Sequence, residues 1–323
     1  MGRELWLLRH GAAENDLSVG DFDRPLSDPG KRDIQRLGVW MSLHDLIPDQ
    51  VVASKAERAL VSAQKLCRAM QRGTQGVTSD QALYTDEWQP LLTQIQSCDA
   101  KVERLLVVGH APALEGLLRQ LLGVDMPTQL HEEGLRFATL VRLRIEGAWQ
   151  EVGTQTVQLL DVKEPHTLPR KFPFPSPSGD QRRKRPAYYY RQSSVIPYRM
   201  IDGQLHFMLV SSSKKKHWVV PKGIHEPGLS AQDSAAKEAM EEAGVRGEVS
   251  TQSLGHYTYK KWGGPTTCHV YSMAVTEVIP EAQWEERHRG RQWFSPEQAM
   301  EKVNQQELVP MMKMLVKQLL AES

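Results

Sequence analysis

A basic, proline-rich segment in the middle of the chain constrains its fold more than any other feature. Residues 161–193 carry eight Lys and Arg against three Asp and Glu, and they show no apolar periodicity. This composition is typical of a linker. The 323 residues of the chain also exceed what one ordinary core organises. We therefore predict two domains, residues 1–163 and 192–323, joined by a linker over residues 164–191.

The linker contains four consecutive basic residues, 182–185, followed closely by three tyrosines. Basic residues beside aromatic ones can bind single-stranded nucleic acid. A solvated tether whose tyrosines begin the packing of the second domain explains the same pattern. We expect the tether, and we do not expect nucleic acid to be a partner.

The composition places the chain among globular proteins, with 40 % apolar and 24 % charged residues. No apolar run approaches the roughly 20 residues of a membrane span, and the first residues lack a long apolar signal segment. We therefore expect a cytoplasmic protein with no membrane partner. Cys67, Cys98 and Cys268 are scattered and odd in number, which indicates neither a disulfide framework nor a zinc site.

Two histidines follow apolar segments that we predict to be strands of one open α/β sheet. Residues 5–8 lead into Arg9 and His10, and residues 105–108 lead into His110 after one glycine. In such sheets the ligand crevice lies at the carboxyl ends of the strands. We therefore expect both histidines at equivalent strand ends, beside a ligand crevice.

These strand-end residues have a chemical use together. A neutral imidazole can attack phosphorus and form a covalent phosphohistidine. The phosphoryl oxygens then need cations that stay charged, and the planar fork of arginine suits them. His10 and His110, with Arg9 and Arg58, supply this set. A single histidine at a strand end is more often structural, so the prediction depends on the whole set.

The first domain resembles the histidine phosphatase superfamily, and in particular its compact SixA-type phosphohistidine phosphatases. The motifs are Leu-Arg-His-Gly-Ala from residue 8, Arg-Pro-Leu-Ser from residue 24 and Val-Gly-His-Ala-Pro from residue 108. The resemblance covers roughly residues 3–160. It implies that His10 is the nucleophile and that His110 stabilises the transferring phosphoryl group. It also implies that Arg9 and Arg58 bind the phosphate and that this domain needs no cofactor.

The proton donor of the first domain stays open. Many members of the superfamily supply an acidic donor between the second arginine and the second histidine, where Asp86 and Glu87 are the candidates. If neither serves, phosphohistidine is a better substrate than an alkyl phosphate ester, because a poor leaving oxygen needs a proton. The implied substrates are a phosphohistidine protein or a phosphorylated small molecule.

A predicted helix in the second domain carries three glutamates on one face. Ser230 is its expected cap, and the helix is predicted over residues 231–243. Glu238, Glu241 and Glu242 are spaced so that their carboxylates project together. A hard divalent cation such as Mg²⁺ offsets the repulsion among them. A solvated acidic face is the commoner role of paired glutamates on a helix, so the wider spacing has to decide.

The segment from residue 223 to residue 245 resembles the Nudix box, a glycine-led loop followed by a helix that bears Arg-Glu and then Glu-Glu. The resemblance implies a hydrolase of diphosphate linkages that uses Mg²⁺, with Mn²⁺ as an alternative. It implies Glu238, Glu241 and Glu242 as metal ligands, and Glu241 and Glu242 as catalytic residues.

Two positions depart from the Nudix box. Leu229 stands where the loop glutamate is expected, and Lys237 stands where the arginine is expected. In the family these two residues support the loop against the helix. We therefore expect weaker support of the loop rather than loss of the metal carboxylates, and whether activity is reduced stays open.

The wider second domain resembles one Nudix branch, that of diphosphoinositol polyphosphate and diadenosine polyphosphate hydrolases. The motifs are Val-Ile-Pro-Tyr-Arg from residue 195, Trp-Val-Val-Pro-Lys-Gly from residue 218 and Trp-Phe-Ser from residue 293. Such substrates carry dense negative charge. We predict that Arg199 and Lys222 bind their phosphates, with the lysines at 214–216 and 260–261 as further counter-ions.

The sequence therefore predicts an α/β three-layer phosphatase domain followed by an α+β Nudix domain with a mixed sheet between helices. We expect a bifunctional hydrolase. Two alternatives stay open. In one, a single domain is active and the other senses phosphorylated ligands; in the other, the basic linker makes the chain a nucleic-acid-binding protein.

Overall fold

The computed structural model describes residues 2–16, 18–123, 130, 134–153, 157–176, 179 and 181–321. The chain divides into two compact units, Met1–Phe172 and Pro173–Ser323. The division lies inside the predicted linker, so residues 164–172 belong to the first unit and residues 173–191 to the second.

The described part of the first unit contains a six-stranded sheet and four α-helices. The strands are β1 (Arg3–Arg9), β2 (Gln50–Ser54), β3 (Val77–Asp80), β4 (Arg104–Gly109), β5 (Leu140–Ile145) and β6 (Val157–Lys163). The helices are α1 (Asp28–Leu43), α2 (Glu57–Ala69), α3 (Gln89–Gln96) and α4 (Ala111–Leu122). The strand order is β3-β2-β4-β1-β5-β6. Strands β1 to β4 run parallel, whereas β5 and β6 are antiparallel to their neighbours.

Helices cover both faces of this sheet. α1 and α2 pack with Trp6 and Leu8 on one face, and α3 and α4 pack with Leu5 and Leu7 on the other. Successive residues of β1 therefore enter two different apolar layers, which explains its continuous apolar sequence. The predicted three-layer α/β domain is confirmed.

The second unit is built around an eight-stranded sheet. Its strands are β9 (Arg191–Ile201), β10 (Gln204–Ser211), β11 (Trp218–Val219), β12 (Lys222–Ile224), β13 (Val245–Val249), β14 (Gly255–Lys261), β15 (Gly264–Val278) and β16 (Arg291–Phe294). β7 (Phe172–Phe174) and β8 (Gln181–Arg183) form a separate pair. The main order is β11-β10-β9-β15-β13, with β12 beside β9, β14 beside β15 and β16 beside β10. β9 and β15 are parallel and the other pairs are antiparallel, so the sheet is mixed.

Helices again lie on both faces. They are α5 (Ala231–Glu238), which continues as a π turn (Ala239–Ala243), α6 (Pro296–Lys302) and α7 (Leu308–Ala321). α5 packs on the face that carries Val195, and α6 and α7 pack on the face that carries Ile196. The predicted mixed sheet between helices is confirmed. The β9–β10 turn has positive φ at both Asp202 (50°) and Gly203 (75°), as a tight two-residue hairpin turn requires.

Much of the predicted linker is packed rather than solvated. Leu168 and Phe172 are buried in the first unit, and Tyr188 and Tyr190 are buried in the second. The guanidinium carbon of Arg183 lies 3.3 Å from the centre of the Phe174 ring. Two of the three tyrosines are therefore unavailable for stacking on bases, which removes the main support for a nucleic-acid patch.

Two further expectations concern the whole chain. No helix in the described ranges is long and apolar enough to cross a membrane. Cys67, Cys98 and Cys268 are buried free thiols, as expected from their scattered positions.

Candidate functional sites

A cavity of about 390 Å³ in the first unit brings together the four residues predicted for phosphoryl transfer. Arg9 ends β1 opposite Gly109 of β4, so His10 and His110 leave two parallel, adjacent strands side by side. Their ring centres are 5.1 Å apart. Arg58 reaches the same cavity from the first turn of α2. The complete lining is Arg9, His10, Asp21, Arg24, Arg58, Tyr84, Thr85, Asp86, His110, Ala111, Pro112 and Phe137.

His10 is held as a neutral imidazole with its lone pair on Nε2. Its Nδ1 lies 2.7 Å from the carbonyl oxygen of Gly11, and because a carbonyl only accepts, Nδ1 carries the proton. Nε2 accepts from Nε of Arg58 at 3.3 Å. Burial lowers the pKa of His10 to about 3. An unprotonated ring nitrogen is therefore available in this cavity at neutral pH.

His110 is also neutral. Its Nδ1 lies 3.4 Å from Nη2 of Arg58, and its Nε2 lies 2.9 Å from Oγ of Ser54. A guanidinium only donates, so Nδ1 accepts and Nε2 donates to the serine. Burial lowers the pKa of His110 to about 4. The positive charge of the cavity is therefore carried by its arginines.

Asp21 and Tyr84 belong to the cavity, although neither was predicted from the sequence. One carboxylate oxygen of Asp21 accepts from Nη2 of Arg58 at 2.8 Å and from Oη of Tyr84 at 2.8 Å. The other accepts from Nη2 of Arg24 at 2.8 Å. The hydrogen bond from Tyr84, followed by those from the arginines, lowers the pKa of Asp21. An anion thus occupies the phosphate-clamp arginine, and a phosphoryl group would have to replace it.

Phe137 forms another unpredicted wall. Its ring centre lies 5.5 Å from that of His10, and the guanidinium carbon of Arg9 lies 3.8 Å above it. This ring is 42 % exposed, so part of it faces solvent beside the polar cavity. Of the two candidate proton donors, Asp86 lines the cavity and Glu87 is not among its lining residues.

The glutamates of the second unit meet at the loop that precedes α5. Gly223 faces Glu238 so closely that a Cβ there would overlap the carboxylate, which explains the need for glycine. Burial, followed by the charges of Glu242 and Glu241, raises the pKa of Glu238 to about 8. Burial also raises the pKa values of Glu241 and Glu242. The three carboxyl groups are therefore crowded together, and without a cation Glu238 holds its proton at neutral pH.

Glu242 has two hydrogen-bond partners. Its Oε2 accepts from the backbone N–H of Lys222 at 3.0 Å, and its Oε1 accepts from Nη2 of Arg289 at 2.8 Å. Arg289 was not predicted, and it also pairs with Glu286. Glu285 is one of the charges that raise the pKa of Glu241. Carboxylates after residue 280 therefore do adjoin this group.

The expectation of a weakly supported loop is corrected by an ion pair. Nζ of Lys237 lies 2.7 Å from Oε1 of Glu226 and 3.6 Å from Oε1 of Glu241. The backbone N–H of Glu226 donates to Oγ of Ser234 at 3.1 Å. Glu226 therefore supplies the carboxylate that Leu229 lacks, three residues earlier in the same loop, and Lys237 supplies the cation.

The helix that carries the glutamates is not α-helical over its predicted length. Ser230 caps it as expected, since Oγ accepts from the N–H of Asp233 at 3.0 Å. The α-helix ends at Glu238 and a π turn follows, Ala239–Ala243, before Gly244 adopts a left-handed conformation with φ 59°. π turns are rare and frequently lie at functional sites.

The predicted phosphate-binding cations separate into two places. Arg199 lies over the ring of Trp293, with 4.3 Å from its guanidinium carbon to the ring centre. Arg199 is five residues along β9 from Ser194, the residue that pairs with Lys222, and five strand residues span about 16 Å. Lys222 instead lies near Lys261: burial and then the charge of Lys222 lower the pKa of Lys261, whereas Glu242 and Glu238 act in the opposite direction. Two lysines therefore accompany the glutamates.

The glutamates suit a divalent cation in donor type. Glu238, Glu241 and Glu242 offer the hard oxygens that Mg²⁺ prefers. Across the ranges that the structure describes, no group of three or more His, Cys, Asp or Glu side chains is arranged to hold a metal ion. The residues thus fit the ion chemically, while the present side-chain positions pair Glu241 with Lys237 and Glu242 with Arg289.

Comparisons with known proteins separate the chain in the same way. Residues 5–89 match the model of the histidine phosphatase superfamily (branch 1), and residues 190–315 match the NUDIX domain. Nudix hydrolase 16, mitochondrial, from Arabidopsis thaliana is 32 % identical over 34 % of this chain and 69 % of that protein. Diphosphoinositol polyphosphate phosphohydrolase 3-beta from Bos taurus is 36 % identical over 29 % of this chain and 57 % of that protein.

A structure of the protein histidine phosphatase SixA complexed with tungstate covers 51 % of this chain and 98 % of its own, with 17 % identity and a TM-score of 0.43. The chain spans 64 % of the length of two other Arabidopsis relatives, Nudix hydrolases 21 and 13. The chain therefore combines two separate domains, each matching a different hydrolase family, in one fused protein. The chain belongs to the Nudix hydrolase family and carries, ahead of its Nudix domain, a domain of the histidine phosphatase superfamily.

Proposed function

We propose that the chain is a bifunctional hydrolase of phosphorylated compounds in the cytoplasm. The first domain removes a phosphoryl group from phosphohistidine or a phosphomonoester through His10. The second domain cleaves a diphosphate linkage with Mg²⁺, or with Mn²⁺ in its place. The observation that supports the first activity best is the unprotonated Nε2 of His10, which accepts a hydrogen bond from Nε of Arg58.

Phosphoryl transfer at His10 needs no metal. Nε2 attacks phosphorus, the new N–P bond forms, and the bond from phosphorus to the leaving group breaks. Arg9 and Arg58 hold the phosphoryl oxygens, and neutral His110 can donate its N–H to a phosphoryl oxygen without adding charge. Water then attacks the phosphohistidine, releases phosphate and returns His10 to its neutral form.

The second activity is supported by the crowded carboxylates. Glu238, Glu241 and Glu242 would hold Mg²⁺, which when bound neutralises the diphosphate and lowers the pKa of a water molecule. Lys222 and Lys261 offset the remaining charge of a phosphate-rich substrate. The name of the bovine relative indicates diphosphoinositol polyphosphates as one such class, and dinucleoside polyphosphates are another class with several linked phosphates.

Paired variants of the full chain test both activities. His10→Ala should abolish phosphate release from a phosphomonoester or phosphohistidine in EDTA, and leave Mg²⁺-dependent cleavage intact. Glu242→Gln should do the reverse. Acid-labile, base-stable phosphate should be trapped on the wild-type chain during turnover and be absent from His10→Ala. Normal turnover by His10→Ala would refute the nucleophile, and equal damage by both variants would point to unfolding or one shared site.

A further inference from the structure

A second cavity in the first unit adjoins the one that holds His10. It measures about 460 Å³, and the two cavities share Arg9 and Phe137 as a common wall. The other lining residues come from α1, from the turn at residues 164–166 and from Arg136, the neighbour of Phe137. That turn lies in the segment predicted as linker, yet Glu164 and Pro165 are buried. We call this cavity the Arg136 cleft, lined by Arg9, Asp33, Arg36, Arg136, Phe137, Glu164, Pro165 and His166.

The Arg136 cleft carries three guanidinium groups and two carboxylates. Asp33 pairs with Arg36, and Glu164 lies 4.0 Å from Nη1 of Arg136 and 2.8 Å from Nδ1 of His166. The Glu164 side chain is only 6 % exposed, whereas the Arg136 side chain is 53 % exposed. Arg136, the cationic partner of this pair, is therefore exposed to solvent, and an anion that enters the cleft would contact it.

The shared wall determines what a single ligand could span. Arg9 faces both cavities, and the exposed ring of Phe137 lies between them. An aromatic ring of this kind packs against the carbon skeleton of a ligand rather than against its charges. A molecule with a phosphoryl group at His10 would thus place its skeleton over Phe137 and its far end in the Arg136 cleft.

We infer that the Arg136 cleft binds a second anionic group, phosphate or carboxylate, of a small-molecule substrate whose phosphoryl group lies at His10. This inference rests on the proposed phosphatase function, because it assigns the other end of the substrate to the His10 cavity. It narrows the substrate class to organic phosphates that carry two separated anionic groups.

Binding to a non-hydrolysing chain tests the inference directly. Full-length His10→Ala in EDTA is titrated by calorimetry with glucose 6-phosphate and with glucose 1,6-bisphosphate, which differ by one phosphate. The bisphosphate should bind about tenfold more tightly, the effect expected of one charge-assisted contact. Adding Arg136→Gln should reduce that preference to about twofold or less. The matched control is Arg144→Gln, an exposed arginine of β5 in register with Glu4, at the far end of the strand.

Two results would overturn the inference: equal affinity for the two sugars, or a tenfold preference that survives Arg136→Gln. Thermal unfolding of each variant shows whether the fold is kept. Turnover by the wild-type chain separates this question from the proposed function. If neither sugar is hydrolysed but the preference depends on Arg136, the anion subsite stands, and the trapping of acid-labile phosphate on His10 decides the phosphatase assignment separately.

Discussion

His10 has a fixed tautomer and a strongly lowered pKa, two properties that seldom occur together in histidines at a protein surface. Both follow from position, since the end of β1 buries the ring and presents Nδ1 to the carbonyl of Gly11. We predict that His10 stays neutral from pH 8 down to about pH 5. The pKa of His10 in the folded chain lies below the usual 6.5 of the unfolded chain, so the unfolded chain binds a proton at this residue first as the pH falls. The stability that the neutral histidine contributes to the folded chain is therefore lost as the pH falls below about 6.5.

Proton NMR of the imidazole checks this prediction. The His10 ring signal, assigned by its absence from His10→Ala, should not shift between pH 8 and pH 5. A midpoint near 6.5 for His10 would contradict the burial argument.

Asp86 and Glu87 are neighbours in sequence, but only Asp86 lines the His10 cavity. We predict that Asp86→Asn slows the hydrolysis of alkyl phosphates by about 100-fold, the usual contribution of a general acid. The same change should alter the rate with an aryl phosphate or phosphohistidine far less, because those leaving groups need less help from a proton. Rates over a series of leaving groups measure the difference. Glu87→Gln is the matched control, and an equal effect across the series would exclude Asp86 as the donor.

Residue types at strand ends were predictable here, whereas residues from loops were not. His10, His110 and Arg58 follow an apolar strand or begin a helix, so periodicity places them. Asp21 lies in a single 3₁₀ turn and Tyr84 follows another, and in such short turns neither propensity nor spacing fixes which side chain points toward a site. Their contacts depend on how the loops close over the sheet, which is a property of the whole domain.

In the loop before α5, an acid at a different position, Glu226, replaces the missing glutamate and pairs with Lys237 of the helix. Glu226 and Lys237 join the loop to the helix at 2.7 Å, although the box pattern expects the acid at residue 229. We predict that Lys237→Met lowers the free energy of unfolding by about 1 kcal/mol, a modest value because the lysine is partly exposed. The rate of Mg²⁺-dependent cleavage should also fall, because the loop positions Gly223 next to the carboxylate of Glu238.

Urea unfolding and cleavage rates of three chains test the ion pair. Lys237→Arg should retain both stability and rate, because the longer fork reaches the same carboxylate. A chain with Lys237→Met that matches the wild type in both measurements would show that the pair contributes nothing.

Element boundaries were predictable where caps define them. Ser230 and Gly244 fix the ends of the glutamate-bearing segment through a hydrogen bond and a left-handed residue. The π turn between them was not predictable, because its wider hydrogen bonding leaves no distinct apolar period over only five residues. It nevertheless decides where Glu241 and Glu242 point relative to Glu238.

At the scale of the whole molecule, composition predicted where the chain divides, but it did not predict which residues near the division are buried. Charge and proline content singled out residues 164–191, and the two units divide within that range. Leu168, Phe172 and Tyr190 are nevertheless buried, because a single apolar residue in a polar segment can still fill a gap on a neighbouring surface. A window average cannot register such isolated contacts. The domain limits 1–163 and 192–323 therefore stay a prediction.

The two proposed activities are chemically related in one direction. Cleavage of a diphosphate linkage by the Nudix domain leaves products with terminal phosphoryl groups, and a terminal phosphoryl group is what a histidine nucleophile attacks. The reverse order gains nothing, because removal of a terminal phosphoryl group creates no diphosphate linkage. We therefore predict that the intact chain carries some dinucleoside polyphosphate or diphosphoinositol substrate one step beyond the Nudix product.

Two full-length variants test this sequence of steps without cutting the chain. With Mg²⁺ and a diphosphate substrate, wild-type enzyme should release the further dephosphorylated product, whereas His10→Ala should stop at the Nudix product. Glu242→Gln alone should leave the substrate unchanged. Mixing the two variants should restore the final product, and a longer lag than with an equal concentration of wild type would show that sharing one chain speeds the transfer. If the Nudix product persists with wild-type enzyme, the two sites act on unrelated substrates and the fusion serves another purpose.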